Sequence, residues 1–298
     1  MRDERHHEAA ETHSSQIQVA EDIFRKNMGR SLLHRMPLPP KLRAYWEASR
    51  APRYSILLAL PLLIAYEALA TFLSNGPTAE VRNGADVLLR ELFLTVAGRR
   101  FAPLAFGVTV IGISVWYIAR DVRGTRSPFQ APVVLAMLAE SAVLAVAFGR
   151  IIGWMTSHLV GAIGPGNIAD AIVGDAVRGP AWTGGLAGAP TATKVMLALG
   201  AGVYEEIVFR VLLVSAIAFL AGRVLGWRPL FAAGFAAILS AVIFAAFHYV
   251  GPYGDPFRLD SFVFRFLGGL AFSLLYVTRG FGITAWTHTL YDLIALTV

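Results

Sequence analysis

Two adjacent acids and an arginine interrupt a stretch that otherwise reads as a membrane helix. The run is Ala201-Gly202-Val203-Tyr204-Glu205-Glu206-Ile207-Val208-Phe209-Arg210, with apolar sequence on both sides. A charge at membrane depth costs about 2.5–3.5 kcal/mol on insertion scales, so such residues face a bundle interior or a water-filled cavity and mark function. On a helix Glu206 and Arg210 are four apart and share a face, so they can pair. Glu205 points about 100° away from Glu206, free to meet a different neighbour. That division suits one structural acid neutralised by arginine and one acid kept for chemistry.

Two further polar pairs lie downstream. Phe244-x3-His248 puts a histidine near the end of an apolar run, with Phe244 one turn back to pack against the ring or exclude water. His288-x3-Asp292 puts both side chains on one helix face, so Asp292 can orient the imidazole or reach the site itself. One free carboxylate and two histidines in an apolar setting form a water-activating set. The carboxylate takes a proton from water, and a histidine or amide donor holds the charge that grows on an attacked carbonyl oxygen. Amide hydrolysis needs both.

The elements that must position these groups are membrane helices. The 298 residues are 56% hydrophobic and only 15% charged, where soluble domains run nearer a quarter charged. Continuous apolar runs, rather than short alternating segments, exclude a transmembrane barrel and predict an all-α polytopic bundle of about seven spans. These fall near 54–74, 101–119, 131–155, 193–220, 229–250, 262–278 and 281–298. An eighth helix, N-terminal or interfacial, would add to them. Arg279-Gly280 makes the last two spans either a tight hairpin or one broken element. Residues 85–95 read as a short amphipathic helix in the first loop, and 156–191 as a long glycine- and proline-rich loop with an interfacial helix near 167–177.

Residues 1–50 form a polar, basic arm without a signal-peptide layout. Phe24, Met28, Leu32 and Met36 recur at four-residue spacing among basic residues, as in an amphipathic helix on a membrane surface. Residues 54–298 read as one transmembrane domain. The net charge of +6 sits beside the apolar runs, which points to orientation and contact with the lipid bilayer rather than to nucleic acid. Arg43, Arg50 and Arg53, then Arg120, Arg123 and Arg126, then Arg223 and Arg228 fall on one side of a seven-span chain and place the N-terminus in the cytoplasm. Arg82, Arg90, Arg99 and Arg100 in the first loop count against this. With no cysteine, disulfides, thiolate metal sites and a cysteine nucleophile are excluded.

Glu-Glu-x3-Arg, Phe-x3-His and His-x3-Asp, in that order on three hydrophobic segments, resemble the CAAX-protease and bacteriocin-processing (CPBP, or Abi) family of intramembrane proteases. The resemblance covers about 190–298. It implies a membrane bundle whose motif helices surround a water-accessible cavity. It makes Glu205 the general base, with His248 sharing its water. Glu206 would be held by Arg210, and His288 with Asp292 would form the oxyanion site. The family often has Asn at that last position, and an ionised Asp cannot donate to an oxyanion. Asp292 would therefore carry a proton or act by fixing His288. The resemblance favours a metal-free glutamate mechanism. The alternative is zinc on Glu205, His248 and His288, a known catalytic donor set, although no His-Glu-x-x-His stands on one helix.

The expected partner is a peptide or membrane-protein substrate. Oligomeric state is not readable. The composition, rich in Ala, Arg and Gly, fits a high-GC bacterium and its inner membrane. Two other functions compete: a proton-coupled transporter with a Glu67, Glu140, Glu205 and His248 relay, and a non-catalytic membrane scaffold or immunity protein. Glu67 and Glu140 read more simply as interhelical hydrogen-bonding groups. His6, His7, His13 and His34 read as solvated tail residues, His158 as a loop residue, and Tyr249 and Tyr253 as members of the interfacial aromatic belt. With Glu205 and His288 near mid-membrane and His248 two residues from its span end, the depths differ by about 10–15 Å, so either the fifth helix is tilted or submerged in the bundle or the span boundaries lie elsewhere.

Overall fold

The computed structural model describes residues 39–75, 81–124, 129–163, 189–251 and 254–297. The stripe at Phe24 to Met36, the tail histidines, the helix expected near 167–177 and Tyr253 lie outside the described residues. Among those described, the regular structure is helical throughout. Helix α1 (Pro40–Ser49) and α2 (Pro52–Phe72) each open on a proline, whose missing N–H would have no partner in a first turn anyway. Gly98, at φ 71° and ψ 162°, divides the next helical stretch into α3 (84–97) and α4 (99–124), matching the short helix and second span expected there.

Helix α5 (Ala131–Ile163) runs eight residues past its expected end. His158 therefore sits on a helix, with Nδ1 2.8 Å from the Trp154 carbonyl oxygen, and not in a loop. Helix α6 is continuous from Thr191 to Val224. Within it Ala201–Val214 is wound with i→i+5 hydrogen bonds, a widened form that occurs mostly as short bulges and often at functional sites. Helices α7 (Pro229–Phe247), α8 (Leu259–Arg279) and α9 (Phe281–Thr297) complete the described chain. Gly280 alone joins α8 to α9, at φ 84°, a conformation open to glycine. Phe272 stacks on His288 at 4.3 Å, eight residues to either side of Gly280, so the pair is an antiparallel hairpin.

Six described helices are long and apolar enough to cross a membrane: 52–75, 104–123, 131–161, 191–224, 229–247 and 259–279. The seventh expected span, α9, has 17 residues and is about 26 Å long, at the lower limit for spanning. It is the central helix. It packs against α2, α5, α6 and α8, and Ile283, Thr284, Ala285, Thr287, His288 and Thr289 are all buried. Helix α4 is its opposite: Leu104, Val108, Ile111 and Val115 are exposed, as suits a helix whose solvent is lipid.

Ionic clusters lock the two ends of the bundle. At one end Glu140 accepts two hydrogen bonds from Arg279, both 2.6 Å, and a third from Tyr45. Arg279 lies over Trp46 at 4.2 Å, which pins α1 across α5 and α8. Burial, reinforced by the Glu140 carboxylate, pushes the Tyr45 phenol well above its ordinary value. At the other end buried Asp86 accepts from Arg82 (2.8 Å), Arg90 (2.5 Å) and Tyr66 (2.8 Å). Glu67 accepts from Arg90 and from Tyr204, which is the interhelical role its sequence context suggests.

Candidate active site

Three helices bring the polar motifs together. Gly202 on α6 permits the closest approach: a Cβ there would stand 2.5 Å from the Ala285 carbonyl oxygen and 1.9 Å from Thr289 Oγ1. With α6 pressed onto α9 at this level, the two acids of α6 flank the imidazole of His288. Glu206 Oε1 is 2.7 Å from His288 Nδ1, while Glu205 Oε2 is 4.0 Å from Nε2. Asp292, one turn along α9, places Oδ2 3.7 Å from the same Nε2. Glu205, Glu206, His288 and Asp292 are all buried.

The two acids are differentiated as expected, with one addition. Arg210 Nη1 pairs with Glu206 Oε1 at 3.1 Å, and its guanidinium lies between Phe244 (4.5 Å) and Phe272 (5.4 Å). Glu206 is also the group that fixes the His288 ring, a role that the sequence pattern left to Asp292. At 3.7 Å Asp292 is beyond hydrogen-bond range of the ring and faces Nε2, the ring nitrogen that Glu206 does not hold. The widened winding of α6 lets adjacent acids reach two edges of one imidazole, which a simple 100° step does not suggest.

Phe244 is the hub of the aromatic lining. Its ring meets His248 at 4.9 Å and His288 at 6.5 Å, both edge-on. His248, half-buried just past the end of α7, has Nδ1 2.8 Å from the Phe244 carbonyl oxygen, and that contact fixes the ring at the helix end. Glu205 and His248 lie within reach of each other's charge. The expected depth mismatch is resolved by where α7 stops. Helix α6 has 34 residues, about 51 Å, and α7 only 19; Phe247, the last residue of α7, meets Phe209, one turn past Glu205, at 5.5 Å. The shorter helix thus ends at the level of Glu205, which lies beside Asn83, immediately before α3.

Asn83 is a site residue that the sequence alone does not reveal. Its Nδ2 donates to Glu205 Oε1 at 2.8 Å. The one signal for it is an Asn immediately before a helix, which marks a cap and says nothing of a contact 122 positions away. Among the described residues no three of His, Cys, Asp and Glu are grouped so as to hold a metal ion.

The fold and the buried acid–imidazole cluster define a polytopic helical membrane protein with a polar centre inside an apolar bundle. Residues 188–294 match the family model described as type II CAAX prenyl endopeptidase Rce1-like. That model matches the CPBP/CAAX protease family, which the motifs resemble. The matched stretch spans about a third of the chain and contains Glu205, Glu206, Arg210, Phe244, His248, His288 and Asp292, whereas Asn83 lies outside it. No curated protein and no solved structure matches the chain.

Proposed function

We propose that the protein is an intramembrane endopeptidase that cleaves a peptide bond in a peptide or membrane-associated protein. The observation that carries this reading is the grouping of Glu205, His288 and Asp292 around one buried imidazole edge, within a domain matching a CAAX endopeptidase family. The distances of 4.0 and 3.7 Å at His288 Nε2 are too long for direct hydrogen bonds and call for an intervening group. In the proposed reaction that group is water or the substrate carbonyl.

Glu205 removes a proton from the water, and the hydroxide adds to the scissile carbonyl. The tetrahedral oxyanion is held by donors on His288 Nε2 and Asp292. The proton on Glu205 then passes to the amine as the C–N bond breaks, leaving a free carboxylate and a free amine. Hydrogen-bond accounting supports the donor role. With Nδ1 committed to the Glu206 carboxylate, an Nε2 that faces two carboxyl groups is satisfied when it too carries a proton. An aspartate at 292 likewise donates only as the acid. His248 shares the water of Glu205 from the α7 side, and Arg210 keeps Glu206 compensated. The basic flanks of the first, second and fourth spans support a cytoplasmic N-terminus, and a bacterial inner membrane is the proposed location.

The test profiles new protein termini in membranes expressing wild type or Glu205→Gln at matched levels. Termini that depend on Glu205 support proteolysis and name substrates. Matching profiles with both proteins folded and abundant would overturn it, and would favour a scaffold, or a transporter if proton flux in liposomes depends on Glu205. A metal-free mechanism requires that the purified enzyme keep its activity in a chelator. Loss of activity with stoichiometric zinc released would instead favour the zinc alternative on Glu205, His248 and His288.

A further inference from the structure

We propose that Asn83 is a positioning residue for the catalytic base, so that the active site extends beyond the family-matched domain to the start of α3. The proposal rests on the endopeptidase reading for its kinetic consequence, but its geometric content stands apart from it. Every polar atom of Asn83 is committed. The backbone N–H donates to Tyr66 Oη (3.3 Å), the carbonyl accepts from the Val87 N–H (3.1 Å), and Oδ1 accepts from the Ala85 N–H (2.9 Å). That leaves Nδ2, which donates to Glu205 Oε1 at 2.8 Å.

These contacts fix the amide without ambiguity. The atom facing the Ala85 N–H has to be an acceptor, so it is Oδ1, and the donor nitrogen points at Glu205. The anchor behind it is stiff. Tyr66, which accepts from the Asn83 backbone, donates to Asp86, and Asp86 is clamped by Arg82 and Arg90. On the far side, Gly200 of α6 makes room: a Cβ there would lie 2.8 Å from Asn83 Cβ and 2.6 Å from the Tyr66 ring.

The chemistry of the donor matters as much as its place. Glu206 receives a guanidinium from Arg210, which neutralises it. Glu205 receives a neutral amide, which fixes one carboxylate oxygen and leaves the charge available to take a proton. With Oε1 held by Asn83, Oε2 is the oxygen turned to His288. Two neighbouring acids thereby acquire different roles from two partners on different elements.

A purely capping role for Asn83 is the competing explanation, and substitutions separate the two. Ser and Asp cap a helix about as well as Asn, but Ser is too short to reach Glu205 and Asp offers it a second carboxylate. The expected result for Asn83→Ser is a helix still capped, a melting temperature lowered only by the one buried hydrogen bond lost, and kcat per folded molecule lowered about a hundredfold, the scale of a misplaced catalytic group, with KM unchanged. Asn83→Asp, equally well capped, is expected to lose at least as much. Wild-type kcat per folded molecule in both variants would overturn the proposal.

A second readout needs no turnover. In carbon-13 glutamate-labelled protein, the infrared carboxylate band of Glu205, isolated by subtracting the Glu205→Gln spectrum, is expected to move in Asn83→Ser. A band that stays in place sinks the proposal. If the wild type cleaves nothing, the endopeptidase reading fails while the infrared band still decides the Asn83 contact.

Discussion

Gly202→Ala should uncouple the two acids from His288. A Cβ at position 202 would meet two atoms of α9, Thr289 Oγ1 at 1.9 Å and the Ala285 carbonyl oxygen at 2.5 Å. The threonine side chain can rotate away. The carbonyl belongs to the helical backbone at Ala285, which is fully buried, and cannot. Restoring an ordinary contact of about 3.4 Å to that oxygen requires α6 and α9 to separate by about 0.9 Å (3.4 less 2.5). The same movement stretches the 2.7 Å bond from His288 to Glu206 to about 3.6 Å, outside hydrogen-bond range. Overpacking of this kind costs about 1–3 kcal/mol, and losing a buried hydrogen bond to a charged group adds about 1.5–3 kcal/mol. Thermal unfolding in detergent micelles should therefore report a loss of several kcal/mol. Turnover per folded molecule should drop about a hundredfold, as when a catalytic group is misplaced by 1 Å. Gly222→Ala, on the same helix but with nothing within 4 Å of its Cβ, is the control, and should gain up to about 1 kcal/mol from helix propensity. If Gly202→Ala behaves like Gly222→Ala in both assays, the close approach of α6 to α9 is not what assembles the site.

Two further outcomes follow from the same geometry. Arg210→Ala leaves Glu206, fully buried, without its guanidinium; the expected destabilisation is about 3–5 kcal/mol, measured by unfolding in micelles, and a variant as stable as wild type would show that Glu206 does not depend on this charge. Asp292→Asn supplies an N–H donor at every pH. A donor to an oxyanion is worth about 10²–10³ in kcat, so the variant should outpace wild type at alkaline pH by that order and match it in acid, where the wild-type carboxyl carries its own proton; parallel pH–rate profiles would remove Asp292 from the oxyanion site.

Much of the architecture is legible in the sequence because a membrane leaves few options. Apolar runs of about 20 residues must be helices, since lipid offers no partner to an unpaired backbone group. Charges inside them must be compensated, which is why Glu205, Glu206 and Arg210 stand out from residue types and spacing alone. The Glu206–Arg210 pair is readable because both residues lie on one element, four apart. Glu67 and Glu140 are interhelical groups, as their positions suggest, but their partners, Arg90 and Tyr204 for one and Arg279 and Tyr45 for the other, lie on other elements. The extension of α5 to Ile163 escapes the sequence pattern because Thr156, Ser157 and His158 interrupt the apolar run that marks a span, although none of them stops a helix.

By itself the sequence determined the chemical inventory and the solvent: membrane helices, one ion-paired acid beside one free acid, two histidines and an aspartate, in an order that resembles a protease family. Contacts between elements distant in the chain were decided only by the tertiary structure. It turned Glu206 into the anchor of His288, set Asp292 against Nε2, ended α7, and with it His248, at the level of Glu205, and brought in Asn83 from outside the motif region. The physical reason is the same in each case. Periodicity along one helix specifies a face, but what that face meets depends on how closely two helices pack, and here a single missing Cβ at Gly202 sets that distance.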